Sequence, residues 1–273
     1  MNIFTTILIQ PLANGLIVFY KILGGNMGLA IIGFSIFLRF VLNPLTKPYM
    51  QSMKKMKDVA PHLEKLKKKY PNDKIKLAQA QADLYKQKGV NPSAGCIPYI
   101  LQIVVLIAFF NVFSRTLYPN VDTIKSFNEL LYGPLKFVSG QEINTRFLYL
   151  DIKQPDTFKL DFIPFAIPGP VLILAAIVQF VSAKISAPFI KEEEKLAKKT
   201  KKSSDDMQVV LQQSMVYTFP LMTLFIGLKF PSGLAIYWLI FSLLQAQQQY
   251  KSQGWGGLTP FIKRLGLIKS ETP

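Results

Sequence analysis

Apolar residues in this chain fall into blocks separated by polar, mostly basic stretches. Five blocks read as candidate membrane spans. They are Met27 to Leu42, ended by Asn43-Pro44; Ile97 to Phe113; Phe162 to Val181, opening with Pro164, Pro168 and Pro170; a stretch within Val209 to Leu228 containing Pro220; and Gly233 to about Leu244. A helix needs about 20 residues to span a bilayer. Several strictly apolar cores here are shorter, which predicts polar, hydrated helix ends or a locally thinned bilayer. One short block alone would suit the core of a soluble protein, but five with basic connectors point to a membrane protein. A sixth apolar stretch, Ile3 to Leu23, is interrupted by Gln10, Pro11, Asn14, Gly15 and Lys21. Leu12, Leu16, Phe19 and Leu23 recur there at helical spacing, which predicts an amphipathic helix lying in the interface. The alternative, a sixth span, would move only the N-terminus to the other side.

The connectors carry their own patterns. Met53, Met56, Ala60, Leu63, Leu66 and Tyr70 recur at three and four residues, a seam of coiled-coil type. Pro71-Asn72-Asp73 marks a turn. Ile75, Ala78, Ala82 and Tyr85 repeat the spacing, and Gly89 ends the helix. The expectation is a helical hairpin over residues 50–90. It serves either as two helices packed on each other with a solvated lysine face, or as an arm that meets partners and anionic headgroups. The segment Leu117 to Phe162 is rich in aromatics with balanced charge, suited to packing at the membrane interface. The segment Lys191 to Asp206 is charged and reads as a helical or mobile loop, and the tail 251–273 reads as flexible and basic.

Charge sets orientation. The chain has 273 residues, 50% of them hydrophobic, and a formal net charge of +16. Such a balance could suit nucleic acid, but the charge is segregated between apolar runs, which is a topology signal and argues against DNA. Leu45 to Gly95 carries 12 lysines against 4 acids, whereas Ser114 to Asp161 balances 6 against 6. Lys184 to Gln213 again has 7 lysines, against 5 acids. By the positive-inside rule the first, third and C-terminal connectors are cytoplasmic, and five spans place the N-terminus outside. The single Cys96 excludes an internal disulfide framework. His62 and Cys96 lie far apart without clustered carboxylates, so no metal-ligand spacing is present and no cofactor is expected. No basic n-region with a cleavage site marks a signal peptide.

Polar residues inside the blocks are the candidate chemistry. Arg39 sits in the first span, where a cation costs roughly 2.5 to 10 kcal/mol depending on how far it snorkels or draws in water. Ser35 is one helical turn before it, on the same face. Gln102 and Asn111 lie in the second span, Gln179 in the third, and Tyr237 and Trp238 in the fifth. Each has a plain reading: Ser35 bonded to its own helix, Gln102 and Gln179 as interhelical glue, Tyr237 and Trp238 in an aromatic belt, Arg39 snorkelling. Taken together they could line a hydrophilic cavity.

Ordered motifs then narrow the choice. They are Gly28-Leu-Ala-Ile-Ile, Arg39, Asn43-Pro44-Leu45-Thr46-Lys47, Met53-Lys-Lys-Met56 with Pro61, and Asn91-Pro92-Ser-Ala-Gly95-Cys96-Ile-Pro98. Later come Met215, Pro220, and Phe230-Pro231-Ser-Gly233-Leu-Ala-Ile-Tyr237-Trp238. On these the chain resembles the YidC insertases, relatives of the mitochondrial Oxa and chloroplast Alb proteins, over Gly24 to Gln249. The large extracytoplasmic domain of some members is missing, so it looks like a short-form bacterial member of the plasma membrane.

That resemblance implies an all-α protein. Five transmembrane helices (about 27–44, 97–115, 162–183, 209–229 and 232–249) would surround a polar groove within a core of 25–250. An N-terminal interfacial segment (1–24), the cytoplasmic hairpin and a basic cytoplasmic tail (251–273) would complete it. Arg39, Ser35, Gln102, Asn111, Gln179, Tyr237 and Trp238 would line the groove. Met53, Met56, Pro61, Leu63 and Tyr70 would mark the hairpin. The implied activity is insertion and folding of nascent membrane proteins, with lipid as second partner. The Sec translocon, the ribosome and the signal recognition particle are further implied partners. The chain carries no phosphate-cradling Gly-Lys-Ser loop, so hydrophobic partitioning would supply the drive, and no enzymatic reaction is expected. A small transporter with Arg39 as an anion site is the main rival. It predicts an internal repeat, and none is evident. A membrane-embedded enzyme built on His62 or Cys96 lacks an adjacent base.

Overall fold

The computed structural model describes residues 3–71, 73–89, 97–118, 121–138, 140–162, 164–186 and 204–267. The motif from Asn91 to Cys96, most of the charged loop Lys191 to Asp206, Asn72 of the hairpin turn, and Lys269 and Glu271 of the tail lie outside these residues.

Nearly all regular structure is helical. After a π-helical turn, Thr5–Ile9, come α1 (Gln10–Ile22), α2 (Met27–Lys69), α3 (Lys74–Gln87), α4 (Ile97–Thr116), α5 (Thr123–Leu130), α6 (Pro170–Ser186), α7 (Ser204–Gly227), α8 (Ser232–Gln253) and α9 (Thr259–Arg264). The connector from α4 to α6 adds two antiparallel ribbons, β1 (Arg146–Phe147) with β2 (Leu150–Asp151), and β3 (Thr157–Phe158) with β4 (Ile167–Pro168). Helix suits apolar runs because it satisfies each backbone N–H and C=O within the segment.

Four boundaries differ from the sequence expectation. The first block does not end at Asn43-Pro44: α2 continues for 43 residues with Pro44, Pro48 and Pro61 inside it. Each proline removes one backbone donor and crowds the carbonyl four residues earlier, yet the helix continues through all three. Within this turn the Thr46 hydroxyl donates to the Asn43 carbonyl at 2.9 Å. The third block starts late, at Pro170 and not at Phe162, because Ile167–Pro168 pair with β3 as strand β4 and the helix opens only at Pro170. The fifth block extends well past Leu244 into the polar end of α8, through Gln245, Gln247, Gln248 and Gln249. The tail is not simply flexible, since α8 reaches Gln253 and α9 follows it.

By length and composition, Thr5–Ile22 (mean hydropathy 1.3) and Met27–Thr46 (1.8) are apolar and long enough to cross a membrane. Leu101–Thr116, Pro170–Ser186 and Val216–Gly227 are shorter apolar helices. The N-terminal segment is thus a helix of spanning length, with Leu12 and Leu16 buried as expected, Phe19 half-buried and Leu23 exposed.

The chain divides into two compact units. The first comprises residues 1–42, 99–179 and 220–244; the second comprises 43–98, 180–219 and 245–273. The first unit has one continuous apolar core, including Leu16, Met27, Ile31, Phe34, Phe109, Phe113, Ile152, Tyr237 and Trp238. Here Gly28 is required, since a Cβ would run into the Phe147 ring. Gly233 is held similarly, with Ile152 Cγ2 2.9 Å and Ile31 Cδ1 3.0 Å from where a Cβ would stand. Two glycines of the sequence motifs are therefore packing positions for the α4–α6 connector.

In the second unit, Val59 and Leu63 are buried and pack with Leu84 and Tyr85. Leu66 and Tyr70 are half-buried, Pro61 is exposed, and Met53 and Met56 lie on α2. The face of α3 differs from expectation. Ile75, Ala78 and Ala82 are exposed, and Leu77, Ala80, Gln81, Leu84 and Tyr85 turn inward. Both registers have helical period, and the one carrying two leucines buries more apolar area. Asp73 caps α3 by accepting from the Lys76 amide at 3.0 Å, and Gly89 ends the hairpin at φ +58.

Candidate functional site

Arg39 is half-buried on the apolar stretch of α2, with its guanidinium carbon 4.8 Å from the centre of the Phe241 ring. A cation over an aromatic face gains about 0.5 to 2 kcal/mol, more as water is removed. The ring belongs to a wall of aromatics. Phe241 meets Tyr237 at 5.7 Å one turn earlier on α8, and Tyr237 stacks on Phe109 of α4 at 4.4 Å. Phe109 continues to Phe34 at 5.9 Å and Phe113 at 5.5 Å. Arg39 therefore packs on an apolar shelf of aromatic rings.

Tyr237 adds a hydroxyl to this wall. The residue is fully buried, the Gln102 side chain is placed to hydrogen-bond its hydroxyl, and the Arg39 guanidinium lies within electrostatic reach. Among the described residues neither the Tyr237 hydroxyl nor the Gln102 Oε1 completes a hydrogen bond of full geometry, so the contact between these two buried groups is a loose one. An unpaired buried polar atom costs about 1 to 3 kcal/mol, so such atoms are rare in a folded core. Here the two groups lie beside each other and next to a cation, so each offers the other a partner.

The other expected groove residues are engaged elsewhere. Ser35 is fully buried, and its hydroxyl donates to the Ile31 carbonyl at 2.6 Å. Asn111 donates to its own helix at the Ile107 carbonyl, at 2.7 Å. At about 100° per residue, the nine positions from Gln102 to Asn111 place the two on opposite faces of α4. The Gln179 Oε1 accepts from the Thr223 hydroxyl at 2.6 Å and so joins α6 to α7. Trp238 is 2% exposed and sits in the core. The structure thus gathers Arg39, Gln102 and Tyr237, and gives Ser35, Asn111 and Gln179 local partners.

Sequence reasoning missed three contributors. Phe241 is signalled only by its spacing of one turn from Tyr237. Thr223 is signalled by a hydroxyl within an apolar run. The third lies in the second unit, where Gln248 Nε2 donates to Asn43 Oδ1 at 2.8 Å and to Thr46 Oγ1 at 3.4 Å. Nearby in that unit, Ser182 donates to Gln249 Oε1 at 3.2 Å, and the Lys184 ammonium lies 5.8 Å from the Phe180 ring and 5.2 Å from Tyr217.

No group of three or more His, Cys, Asp or Glu able to hold a metal occurs among the described residues.

Comparison with known proteins adds a second line. A family model described as 60Kd inner membrane protein matches residues 18–254. A Fusobacterium nucleatum protein named membrane protein insertase YidC is 31% identical over 226 residues, 83% of this chain and 85% of its own. Proteins of the same name from Pelobacter propionicus and Rickettsia rickettsii are 30% and 32% identical over 246 residues. Those matches take in 89% of this chain but 38% of each relative, so the chain spans well under half the length of these two.

Proposed function

This chain belongs to the 60Kd inner membrane protein family, that of the YidC and Oxa proteins, and we propose that it is a membrane protein insertase. It is a helical protein of the bacterial inner membrane. Five spans, α2 to about Thr46, α4, α6, α7 and α8, enclose a polar groove open to the cytoplasm and to lipid. The N-terminal helix lies along the outer interface, and the C-terminus is cytoplasmic. Nascent membrane proteins are the substrate, and lipid receives the product. The hairpin is the arm that meets incoming chains and the machinery delivering them, whether ribosome, signal recognition particle or Sec translocon.

The observation that carries this reading is Arg39, half-buried on an apolar helix beside the polar ends of Gln102 and Tyr237. A nascent protein must carry a polar, often acidic, tail across hydrocarbon, where a charge costs several kcal/mol. A wet groove shortens the dehydrated path. Arg39 gives a carboxylate a partner at reduced dielectric, where attraction exceeds that in water. The contact is transient because Arg39 itself keeps the Phe241 face as a resting partner. As the apolar segment of the substrate leaves for lipid, burial worth about 25 cal/mol per Å2 drives the step without nucleotide hydrolysis.

The test is insertion of a single-span substrate with an acidic tail into liposomes holding wild type, Arg39→Ala or Arg39→Lys, at equal reconstitution. Loss with Ala and recovery with Lys supports the groove cation. Equal activity in all three removes that role from Arg39. Ion flux without insertion by wild type would favour a transporter.

A further inference from the structure

The α4–α6 connector carries large apolar side chains on its outside as well as in the core. Leu148 and Tyr149 form the turn between β1 and β2, and both are exposed, Leu148 at 80%. Phe158 of β3 is exposed too, and Phe162 and Phe165, at 81% and 69%, fall in the loop that leads to β4. The Tyr149 and Phe158 rings stack at 6.3 Å, so the two ribbons share one patch.

Folding does not ask for these residues. Leu148 takes φ +53 at the first position of a two-residue turn, where glycine is the usual occupant and a side chain with a Cβ is strained. A strained, exposed leucine adds nothing to the core, and its side chain is free to meet something outside the chain.

The neighbouring helix start identifies the partner. The Val171 amide, in the first turn of α6, donates to the Tyr149 hydroxyl at 3.1 Å, and that hydroxyl donates to Asp156 at 3.1 Å. Asp156 also accepts from the Leu172 amide at 2.8 Å, so the patch is fastened to the start of α6. From Pro170 to Ala183 α6 carries no charge, and Lys184 follows. Those 14 residues rise about 21 Å, short of the roughly 30 Å of a hydrocarbon core. Even with the Lys184 stem reaching outward, the Pro170 end lies near the edge of the hydrocarbon and not in bulk water. A phenol one hydrogen bond from that end stands among glycerol and headgroups, where tyrosine is favoured. Arg146 beside the first tip and Lys159 beside Phe158 are exposed and long enough to reach headgroup phosphates.

We propose that the Leu148–Tyr149 turn and the Phe162–Phe165 loop dip into the outer leaflet and hold the outer end of α6 on lipid. The partner is the glycerol and upper acyl region of the bilayer, not a second protein. This inference rests on α6 spanning the bilayer with Pro170 outermost, and not on Arg39 or on insertion activity.

The experiment uses the full chain with its single cysteine removed (Cys96→Ser) and one new cysteine carrying an environment-sensitive dye. Leu148→Cys and Phe162→Cys probe the tips. Glu142→Cys, exposed in the same connector, reports water, and Ile177→Cys, exposed on α6, reports hydrocarbon. Each is reconstituted into phosphatidylcholine–phosphatidylglycerol vesicles with nitroxide lipids labelled near the glycerol or near the chain end, or with iodide on both sides. The expected result is that both tips are quenched by the shallow nitroxide more than by the deep one, and are shielded from iodide relative to position 142. Tips quenched by iodide as strongly as position 142, with no nitroxide effect, overturn the proposal. Tips shielded from iodide and nitroxide alike overturn it in favour of a protein partner or a second copy. Position 177 unquenched by either nitroxide overturns the span assigned to α6 and this inference with it, whereas a quenched position 177 with water-exposed tips overturns this inference alone.

Discussion

Two regions of the first unit treat buried polar groups in different ways. In the α4–α6 connector they are saturated. Asn14 of α1 donates to the Leu130 carbonyl at 3.0 Å and to Gln10 at 2.7 Å, and accepts from the Tyr132 amide at 2.7 Å. Asp156, 2% exposed, accepts from the Leu172 amide at 2.8 Å and from the Tyr149 hydroxyl at 3.1 Å, capping α6. Ser232 donates through its amide to Gln154 at 2.8 Å and through its hydroxyl to Asp151 at 3.2 Å, pinning the start of α8. Thr123 Oγ1 is the exception there among the described residues. Around Arg39 the pattern is looser, with the Tyr237 hydroxyl and Gln102 facing each other without a hydrogen bond of full geometry. Saturation fixes the connector, whereas loosely paired groups leave the surroundings of Arg39 easier to rearrange.

The comparison breaks first where the seal is strongest. Asp156→Ala removes a helix cap and orphans a buried amide, and should cost about 3 kcal/mol of stability, read as a fall in unfolding midpoint. A null effect would mean that the connector is not a seal. Next, Asn14→Ala should cost about 2 kcal/mol by leaving Leu130 and Tyr132 backbone groups unpaired, with earlier protease cleavage in the connector as the readout. Phe241→Leu takes away the ring beneath Arg39. It should shift insertion by about 1 kcal/mol, roughly fivefold, with stability changed little beyond the lost ring packing. Asn111→Leu, on the opposite face of α4 from Gln102, should stay within about 0.5 kcal/mol of wild type in both readouts. A large loss of insertion there would extend the groove around α4.

The smallest effect lies in the hairpin and depends on pH. The Lys76 amide, and after it the Lys76 ammonium at 3.1 Å, hold the Asp73 carboxyl below its ordinary value of 3.8. A lowered folded pKa means that this cap contributes fully above the unfolded value and is lost as pH falls through the folded one. Amide exchange at the start of α3 should therefore quicken only on acidification below about pH 4. Tyr149 behaves in the opposite sense. Partial burial raises its phenol, so its contribution is intact below the unfolded pKa and fades as pH climbs through the folded one. Alkali should loosen the Asp156 cap and leave the hairpin alone.

How much of this was legible in the sequence follows from which signals are local. Apolar blocks marked the helices because periodicity and length are written in neighbouring residues. The boundaries at Pro44 and Phe162 were misplaced, since a proline breaks a helix only when its surroundings do not re-satisfy the turn. The α3 face was misplaced because Ile75–Tyr85 and Leu77–Tyr85 share one period. Arg39 stood out as a lone cation in an apolar run. The saturation of Asn14 was invisible, because its partners at 130 and 132 are more than a hundred residues away. The meeting of Gln102 and Tyr237 was equally hidden, being a property of packing and not of composition.

The most direct test of the central claim compares two substrates identical except for Asp or Asn in the translocated tail, inserted by wild type and by Arg39→Ala. The account predicts that wild type favours the Asp tail and that Arg39→Ala abolishes the preference while still inserting the Asn tail. An Asp preference that survives in Arg39→Ala would contradict it.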